Sequence, residues 1–355
     1  MRKNSVIVKK FIFGLILALS FFIGFLISQK TKPEKLYSKS KFYLGSIVEI
    51  KFYCDDDKLA NQVFDQIFNE FERLDSKYSF YSNESYLAKL NSEKNSLIKI
   101  DNETSYLIKI CDTVYSLTQG KFDASIGQLV NLWKKYIEQD EQKDFQLLKV
   151  NLKNSNQKSS SQIPAIPEII AAKDKSGWTN IKLINENEIY RTRNVQLNFD
   201  AILQGYAADR AIEILKSLGI KKALVNASGE IRVLGNNWKI GIKHPRIENE
   251  LIEIVKLSNY SIATSGDYEK FIEVDGKRYH HIINPETGYP STKNMSVTVI
   301  AKNCAFADAL ATGLFSLEPK QAIQIAKSLN DVYVFIVDSK NQIHRSKNFE
   351  KFLWR

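Results

Sequence analysis

Cysteine and histidine are too few and too scattered here to build the commoner metal or disulfide frameworks. The 355-residue chain has three cysteines, Cys54, Cys111 and Cys304, odd in number and far apart, with no CxxC pair and no Cys/His cluster. That spacing offers neither a zinc site nor a disulfide framework and leaves three small buried hydrophobes as the simplest reading. A basic face is missing as well. The net charge is +10, but residues 1–41 hold nine Lys/Arg against one acid, which leaves 41 basic and 39 acidic residues for the rest. A body with so little net charge has no phosphate-tracking surface, so no nucleic-acid partner is expected. No internal repeat is evident, which excludes a solenoid.

What is there begins at the N-terminus. Phe11 to Ile27 runs 17 residues without a charge, after Lys9 and Lys10 and before Lys30. That length is just enough to span a bilayer, and the basic cluster places the N-terminus in the cytoplasm. No small-x-small site follows the run to suggest a cleaved signal peptide, and no Cys follows to accept a lipid. The expectation is a single-pass anchor in the inner membrane with the body on the extracytoplasmic, periplasmic side. Residues 1–29 then form the basic tip and anchor, 30–41 a Lys-rich tether with Pro33, and 42–355 one body.

The body reads as α+β. Lys41 to Phe52 alternates like a strand, and Leu59, Val63, Ile67, Phe68, Phe71 and Leu74 recur at helical spacing over about Asp57 to Asp75. Ser105–Thr118 and Gly205–Gly219 read as further helices. Ala223–Asn226, Ile231–Leu234 and Trp238–Ile242 read as antiparallel strands on short turns. Residues 139–176, with three serines in a row and Pro164 and Pro167, read as a loop-rich excursion. Strand runs without regular βαβ alternation favour antiparallel sheets packed with helices.

Five segments concentrate chemistry. Cys304 to Glu318 reads as a helix carrying Asp308 and Thr312 four residues apart, on one face. A carboxylate and a hydroxyl at that spacing suit an oxygen-loving cation such as Mg²⁺, or else a buried helix whose Thr bonds back to its own carbonyls. Gly120-Lys-Phe-Asp-Ala-Ser-Ile-Gly127 is an Asx-capped turn on its own evidence. In Asn198-Phe-Asp-Ala-Ile-Leu-Gln-Gly-Tyr-Ala-Ala-Asp-Arg210, a helix starts near Gly205 and could meet phosphate or metal, while Asp209-Arg210 reads as a solvated pair. Asn226-Ala-Ser-Gly-Glu-Ile-Arg232 is a small-residue turn that would admit a flat ring or a diphosphate, or is a plain β-turn. The last segment joins Thr264-Ser-Gly-Asp267 to His280-His-Ile-Ile-Asn-Pro-Glu-Thr-Gly288 and holds two of only four histidines.

In this order, these segments resemble the periplasmic flavin transferases of the ApbE type, the FAD:protein FMN transferases, from about Phe42 to Phe335. The resemblance implies a T-fold-like α+β body that binds FAD and Mg²⁺. Such an enzyme cleaves the diphosphate and moves FMN onto a Thr or Ser hydroxyl of a membrane-bound flavoprotein bearing a Ser/Thr-Gly-Ala-Ser/Thr-Thr motif, releasing AMP. It further implies metal ligation by Asp308, Thr312 and the Ala201 carbonyl. Flavin contacts would come from Leu44, Asp123, Ala124, Ser125, Gln204, Gly229, Glu230 and Ile282, and an essential role falls on His281. An imidazole is suited to take the hydroxyl proton near neutral pH, or it orients the diphosphate.

Three departures from the family pattern stand out. Leu44-Gly-Ser replaces a common Met-Gly-Thr, Gln204 replaces a common Lys and so removes a positive charge, and Ser228-Gly-Glu230 replaces Gly-Gly-Asp. The rival functions are an FAD pyrophosphatase, with water in place of the protein hydroxyl, and a non-catalytic flavin binder.

Overall fold

The computed structural model describes residues 33–150, 162–193 and 195–355. The apolar run Phe11–Ile27 lies outside the described residues, and among those described no helix is long and apolar enough to cross a membrane. In chain order the elements begin with β1 (Lys35–Tyr43), β2 (Ser46–Cys54), α1 (Asp57–Tyr78), α2 (Tyr86–Ser92), β3 (Leu97–Lys99) and α3 (Asn102–Leu117). Next come α4 (Gly127–Val150), α5 (Ile166–Lys173), β4 (Ile181–Asn185), β5 (Glu188–Arg191), α6 (Asp200–Ser217), β6 (Ala223–Ala227) and β7 (Glu230–Leu234). Then follow β8 (Trp238–Lys243), β9 (Leu251–Leu257), β10 (Ser261–Gly266), β11 (Phe271–Val274) and β12 (Lys277–His280). The chain closes with β13 (Asn294–Ala301), α7 (Cys304–Phe315), α8 (Pro319–Lys327), β14 (Tyr333–Asp338) and β15 (Ile343–Arg345).

Eight strands form one antiparallel sheet in the order β1-β2-β6-β7-β10-β13-β14-β15. Its alternation decides the layers. Val48, Ile50 and Phe52 of β2 point to one face and are buried there beneath α1, α6 and α7. On the other face the β8–β9 ribbon and Phe349 and Phe352 close a smaller core around Val233, Ile262 and Phe335. α1 buries Val63, Phe64, Ile67, Phe68, Phe71 and Leu74 along its apolar stripe, each worth about 1.5–3 kcal/mol of burial. Asp56 caps it by accepting from the Lys58 and Leu59 N–H groups.

Several expectations shift. The strand read over Lys41–Phe52 is a hairpin that turns at Leu44-Gly45 and reaches back to Lys35, so part of the segment read as a tether is sheet. The segment 139–176 is not chiefly loop: α4 continues to Val150, and α5 begins with Pro167 in its first turn, where its missing N–H costs nothing. Glu, Gln, Lys and Leu are strong helix formers even where no apolar period marks them. α6 starts at Asp200, one turn earlier than the expected start at Gly205.

Candidate active site

The site is assembled where α6 and α7 cross. A Cβ at Gly205 would lie 2.5 Å from the Cys304 carbonyl oxygen and 2.9 Å from the Ala305 Cα, so only glycine lets these backbones touch. The contact delivers the Gly205 N–H to Asp308 Oδ2 at 3.0 Å. In a regular helix that N–H points at the Ala201 carbonyl, but α6 kinks at Ala201 (φ −86°, ψ 17°). The kink turns that carbonyl out of the helical direction, and the Gly205 N–H goes to Asp308 instead.

Asp308 is buried. Burial raises its carboxyl to about 7; the Gly205 N–H opposes the shift and the charge of Asp209 adds to it. Thr312, one turn further along α7, holds its Oγ1 3.2 Å from Ser265 Oγ at the end of β10. Half-buried Glu230 enters from β7, and its carboxyl is pushed up by burial and then by the charges of Asp308 and Glu269. No basic side chain pairs with Asp308 among the described residues.

α7 itself is held at its N-terminus. Asp209 of α6 accepts from the Cys304 N–H at 2.9 Å and the Ala305 N–H at 3.0 Å, and is ion-paired to Arg232 of β7. The expectation that Asp209-Arg210 is a solvated pair is therefore corrected. Asp209 is a buried cap, and Arg210 pairs with Glu70 and Glu213 instead. Arg232→Leu would leave a buried carboxylate without its cation, at a cost of about 3–5 kcal/mol. Burial already raises the Asp209 pKa in the folded state, so this group's contribution to stability falls as pH rises. Losing Arg232 raises that pKa further. The deficit seen in thermal melts should be larger at about pH 8 than at about pH 5.

Leu44 and Gln204 meet at the rim. Leu44 and Gly45 both take positive φ (54° and 74°) in a two-residue turn that ordinarily favours Asn-Gly. The Leu44 N–H donates to Asp75 Oδ2 (3.1 Å), and Gln204 Nε2 donates to the Leu44 carbonyl (3.4 Å). The second tight turn places Ser228 (φ 69°) and exposed Gly229 (φ 111°) before Glu230, and the Gly229 N–H donates to Asn226 Oδ1 at 2.8 Å.

Asp123 and Ser125 are turned into their own loop. Asp123 accepts from the Ser125 N–H (2.7 Å), the Ser125 hydroxyl (2.6 Å) and the Trp178 N–H (3.1 Å), while Ser125 Oγ accepts from the Gly177 N–H. The Ala124 carbonyl accepts the Asn198 N–H at 2.8 Å, just ahead of α6. These bonds place backbone within the loop and ahead of α6; none of them reaches Asp308.

The two adjacent histidines divide their work. Buried His280 sets Nε2 2.7 Å from the Ser291 carbonyl and accepts the Ile282 N–H on Nδ1. A carbonyl only accepts, so His280 is a neutral Nε2–H tautomer with both nitrogens used. Its ring also lies against Phe315, tying this loop to the end of α7. Half-buried His281 sets Nδ1 3.3 Å from the Lys270 carbonyl, which assigns the Nδ1–H tautomer and leaves the Nε2 lone pair for chemistry. Burial, then the neighbouring His280, lowers its pKa to about 4, against the hydrogen bond to the Lys270 carbonyl, which raises it. Ile282 is buried in the main core beside it.

Among the described residues no three His, Cys, Asp or Glu side chains cluster as a metal site. A cation here would rely on one carboxylate, a hydroxyl and a carbonyl, completed by water or substrate phosphate. That is how Mg²⁺ is commonly held. A buried carboxylate lacking a basic partner fits the same ion, so the residues present are suited to it.

Asp308 and Thr312 were legible as a pair. Ser265 stands in the Thr264–Asp267 motif with no role legible from sequence, and nothing local marks Arg232 or the crossing at Gly205 beyond a small residue inside a helical period. Their partners are distant in sequence.

The profile of the ApbE family matches residues 44–336. The chain belongs to the ApbE family. A Vibrio cholerae FAD:protein FMN transferase is 28% identical over 337 residues, covering 91% of this chain and 94% of its own. An Escherichia coli K12 protein of the same name is 28% identical over 360 residues, covering 96% of each. Among solved structures, the ApbE protein of Thermotoga maritima superposes with a TM-score of 0.77 at 30% identity, covering 90% of this chain and all of its own. The Vibrio cholerae flavin transferase ApbE gives 0.75 at 27% identity, with the same coverage. The α+β fold is thus that of the ApbE structures.

Proposed function

We propose that this site transfers FMN from FAD to a Thr or Ser hydroxyl of a partner flavoprotein and releases AMP, with a divalent cation, Mg²⁺ by its donor chemistry, at Asp308, Thr312 and the Ala201 carbonyl. As an ApbE-family member the chain is an enzyme, an FAD:protein FMN transferase. The observation that carries the cation and diphosphate reading is the buried Asp308 carboxylate. It has Thr312 one turn away and no basic partner among the described residues.

The acceptor oxygen forms a bond to the flavin-side phosphorus, the bond from that phosphorus to the AMP oxygen breaks, and the hydroxyl proton leaves. His281 Nε2 takes that proton. A cation bound at Asp308 would draw charge from the diphosphate and the departing AMP. The flavin contacts are assigned to Leu44 and Gln204 on one side, joined by the Gln204–Leu44 hydrogen bond, and to Gly229 and Glu230 on the other. Because Gln204 is neutral, charge neutralisation falls on the cation.

His281→Ala is expected to lower transfer at least a hundredfold while FAD affinity stays within about twofold of the native protein. Because the imidazole is held below its usual pKa, the acid limb of kcat/KM should fall well below pH 6.5, with rates flat across neutrality. With Mg²⁺ saturating, so that Asp308 stays ionised, a limb near 6.5 that survives in the variant would assign the proton transfer elsewhere. The reaction itself is tested by incubating the chain with FAD, Mg²⁺ and an acceptor bearing a Ser/Thr-Gly-Ala-Ser/Thr-Thr motif. Flavin fluorescence should stay on the acceptor after denaturation. AMP and free FMN without labelled acceptor would establish the pyrophosphatase instead.

The same proposal places the chain in the inner membrane through Phe11–Ile27, with the body on the periplasmic side, where membrane-bound acceptors present their hydroxyl. Extraction of the full chain by alkaline carbonate would overturn that placement.

A further inference from the structure

His281 hangs on a ribbon that the main sheet does not hold. β11 and β12 form a sheet of their own, with Phe271 opposite His280 and Glu273 opposite Arg278, and a two-stranded ribbon is marginal by itself. Its position is therefore set by ties to the body. Tyr279 stacks on buried Trp133 of α4, with 5.7 Å between centroids and 11° between planes, and the Trp133 indole N–H donates to the Gly288 carbonyl at 2.8 Å. Arg278, on the opposite face of β12, reaches Asp267, the first residue after β10.

Asp267 is buried, 8% exposed, and is held from three directions. Arg246, in the loop after β8, donates to both carboxylate oxygens at 2.7 Å. Arg278 Nη1 lies 3.7 Å from Oδ1, and the Asp267 N–H donates to the Met295 carbonyl of β13 at 3.1 Å. A bidentate guanidinium fixes the plane of a carboxylate as well as its distance. Two residues before Asp267, Ser265 Oγ meets Thr312 Oγ1 at 3.2 Å. Three residues after it, the Lys270 carbonyl accepts the His281 N–H at 3.1 Å and meets His281 Nδ1 at 3.3 Å. Six residues thus join the hydroxyl pair on the cation side to the carbonyl that sets the His281 tautomer, with the anchored carboxylate between them.

We infer that Asp267, clamped by Arg246 and Arg278, is a positioning residue for the transfer. It fixes the Lys270 carbonyl and, through it, the Nδ1–H tautomer that leaves His281 Nε2 free as the base. The inference rests on the proton transfer assigned to His281 above. Asp267 itself touches none of the groups placed at the reaction. Without the clamp the ribbon stays docked through Trp133, but the Lys270 carbonyl is no longer held against the imidazole. The ring proton then moves to Nε2, where it blocks the lone pair that would take the hydroxyl proton.

The test reads the tautomer directly, by solid-state ¹⁵N spectra of the full chain in lipid, labelled at its four histidines. His281→Gln identifies the His281 signals by their disappearance. The native protein should show His281 protonated on Nδ1 and His280 protonated on Nε2. In Asp267→Asn, His281 should lose at least half of its Nδ1–H population while His280 keeps its form. The kcat for FMN transfer should fall about ten- to a hundredfold, with KM for FAD within about twofold of native. Arg246→Lys, which cannot pair bidentately, should lie between the two. Asp338→Asn is the control: Asp338 is also 8% exposed, but its bonds go to His344 and to its own turn. It should lower the melting temperature without moving the His281 tautomer or kcat. A native-like His281 tautomer in Asp267→Asn, or a lower melting temperature with kcat per folded molecule unchanged, would overturn the inference. A native protein that shows the clamp-dependent tautomer but neither transfers FMN nor releases AMP would overturn the proposed function, and with it the catalytic role of the clamp, while leaving the coupling of Asp267 to His281 in place.

Discussion

Asp308→Asn is expected to lower cation-dependent FMN transfer by about three orders of magnitude while leaving the fold intact. The amide keeps the shape and can still accept the Gly205 N–H, but it has lost the only carboxylate on α7 that faces a hydroxyl one turn away. A second, opposite effect accompanies the loss. In the metal-free protein the Asp308 pKa is raised from 3.8 to about 7, so its ionisation above that range works against folding. Its favourable contribution is present below the unfolded pKa and disappears as pH rises through the folded one. The amide has no such penalty. The variant should therefore melt higher than the metal-free native protein at about pH 8, by a few kcal/mol at most, and no higher at about pH 4. Added Mg²⁺ should stabilise the native protein and not the variant. Rates of AMP release and melting curves at the two pH values check both halves. Native-like turnover of the variant at limiting Mg²⁺ would refute the site assignment.

Gly205→Ala should be nearly as damaging for a different reason. The new methyl would sit 2.5 Å from a carbonyl oxygen and 2.7 Å from its carbon, both main-chain atoms of Cys304 inside the first turn of α7. No side chain can move to make room, so the helices must part. That costs about 3 kcal/mol, or a melting temperature lower by roughly 5–10 °C. The Gly205 N–H then withdraws from Asp308, which loses the hydrogen bond that favours its charged form. Activity should fall together with stability. Differential scanning calorimetry with an AMP-release assay on the same preparation decides it. A melting temperature within about one degree of native would mean that the crossing is looser than these distances require.

Local signals carried much of the fold and only half of the site. α1 was legible because its apolar residues recur at helical spacing and are buried in that pattern, and α7 as a run of small and apolar residues after a β-branched strand, buried almost all round. The β1–β2 turn was not, because a Leu at positive φ is an unusual occupant of such a turn, and the alternation runs straight through it. The length of α4 was missed because its sequence past Glu138 is rich in Glu, Gln and Lys, which have helix propensity without marking an apolar period. Within the site, Asp308 and Thr312 share one helix face and could be paired from spacing alone. Asp209 could not be understood from its neighbour Arg210, since its partners are Arg232 on β7 and the start of α7. The distinct roles of His280 and His281 depend on the Ser291 and Lys270 carbonyls, which only folding brings within reach.

The central claim is that a cation at Asp308 drives FMN transfer to a protein hydroxyl. Its most direct test is the intact mass of an acceptor bearing the Ser/Thr-Gly-Ala-Ser/Thr-Thr motif after incubation with this chain, FAD and Mg²⁺, with and without EDTA, and with Asp308→Asn alongside. The predicted result is a mass gain of one FMN phosphoester, absent with EDTA and absent with the variant. An unmodified acceptor in the native reaction, or a gain that persists in EDTA, would contradict it.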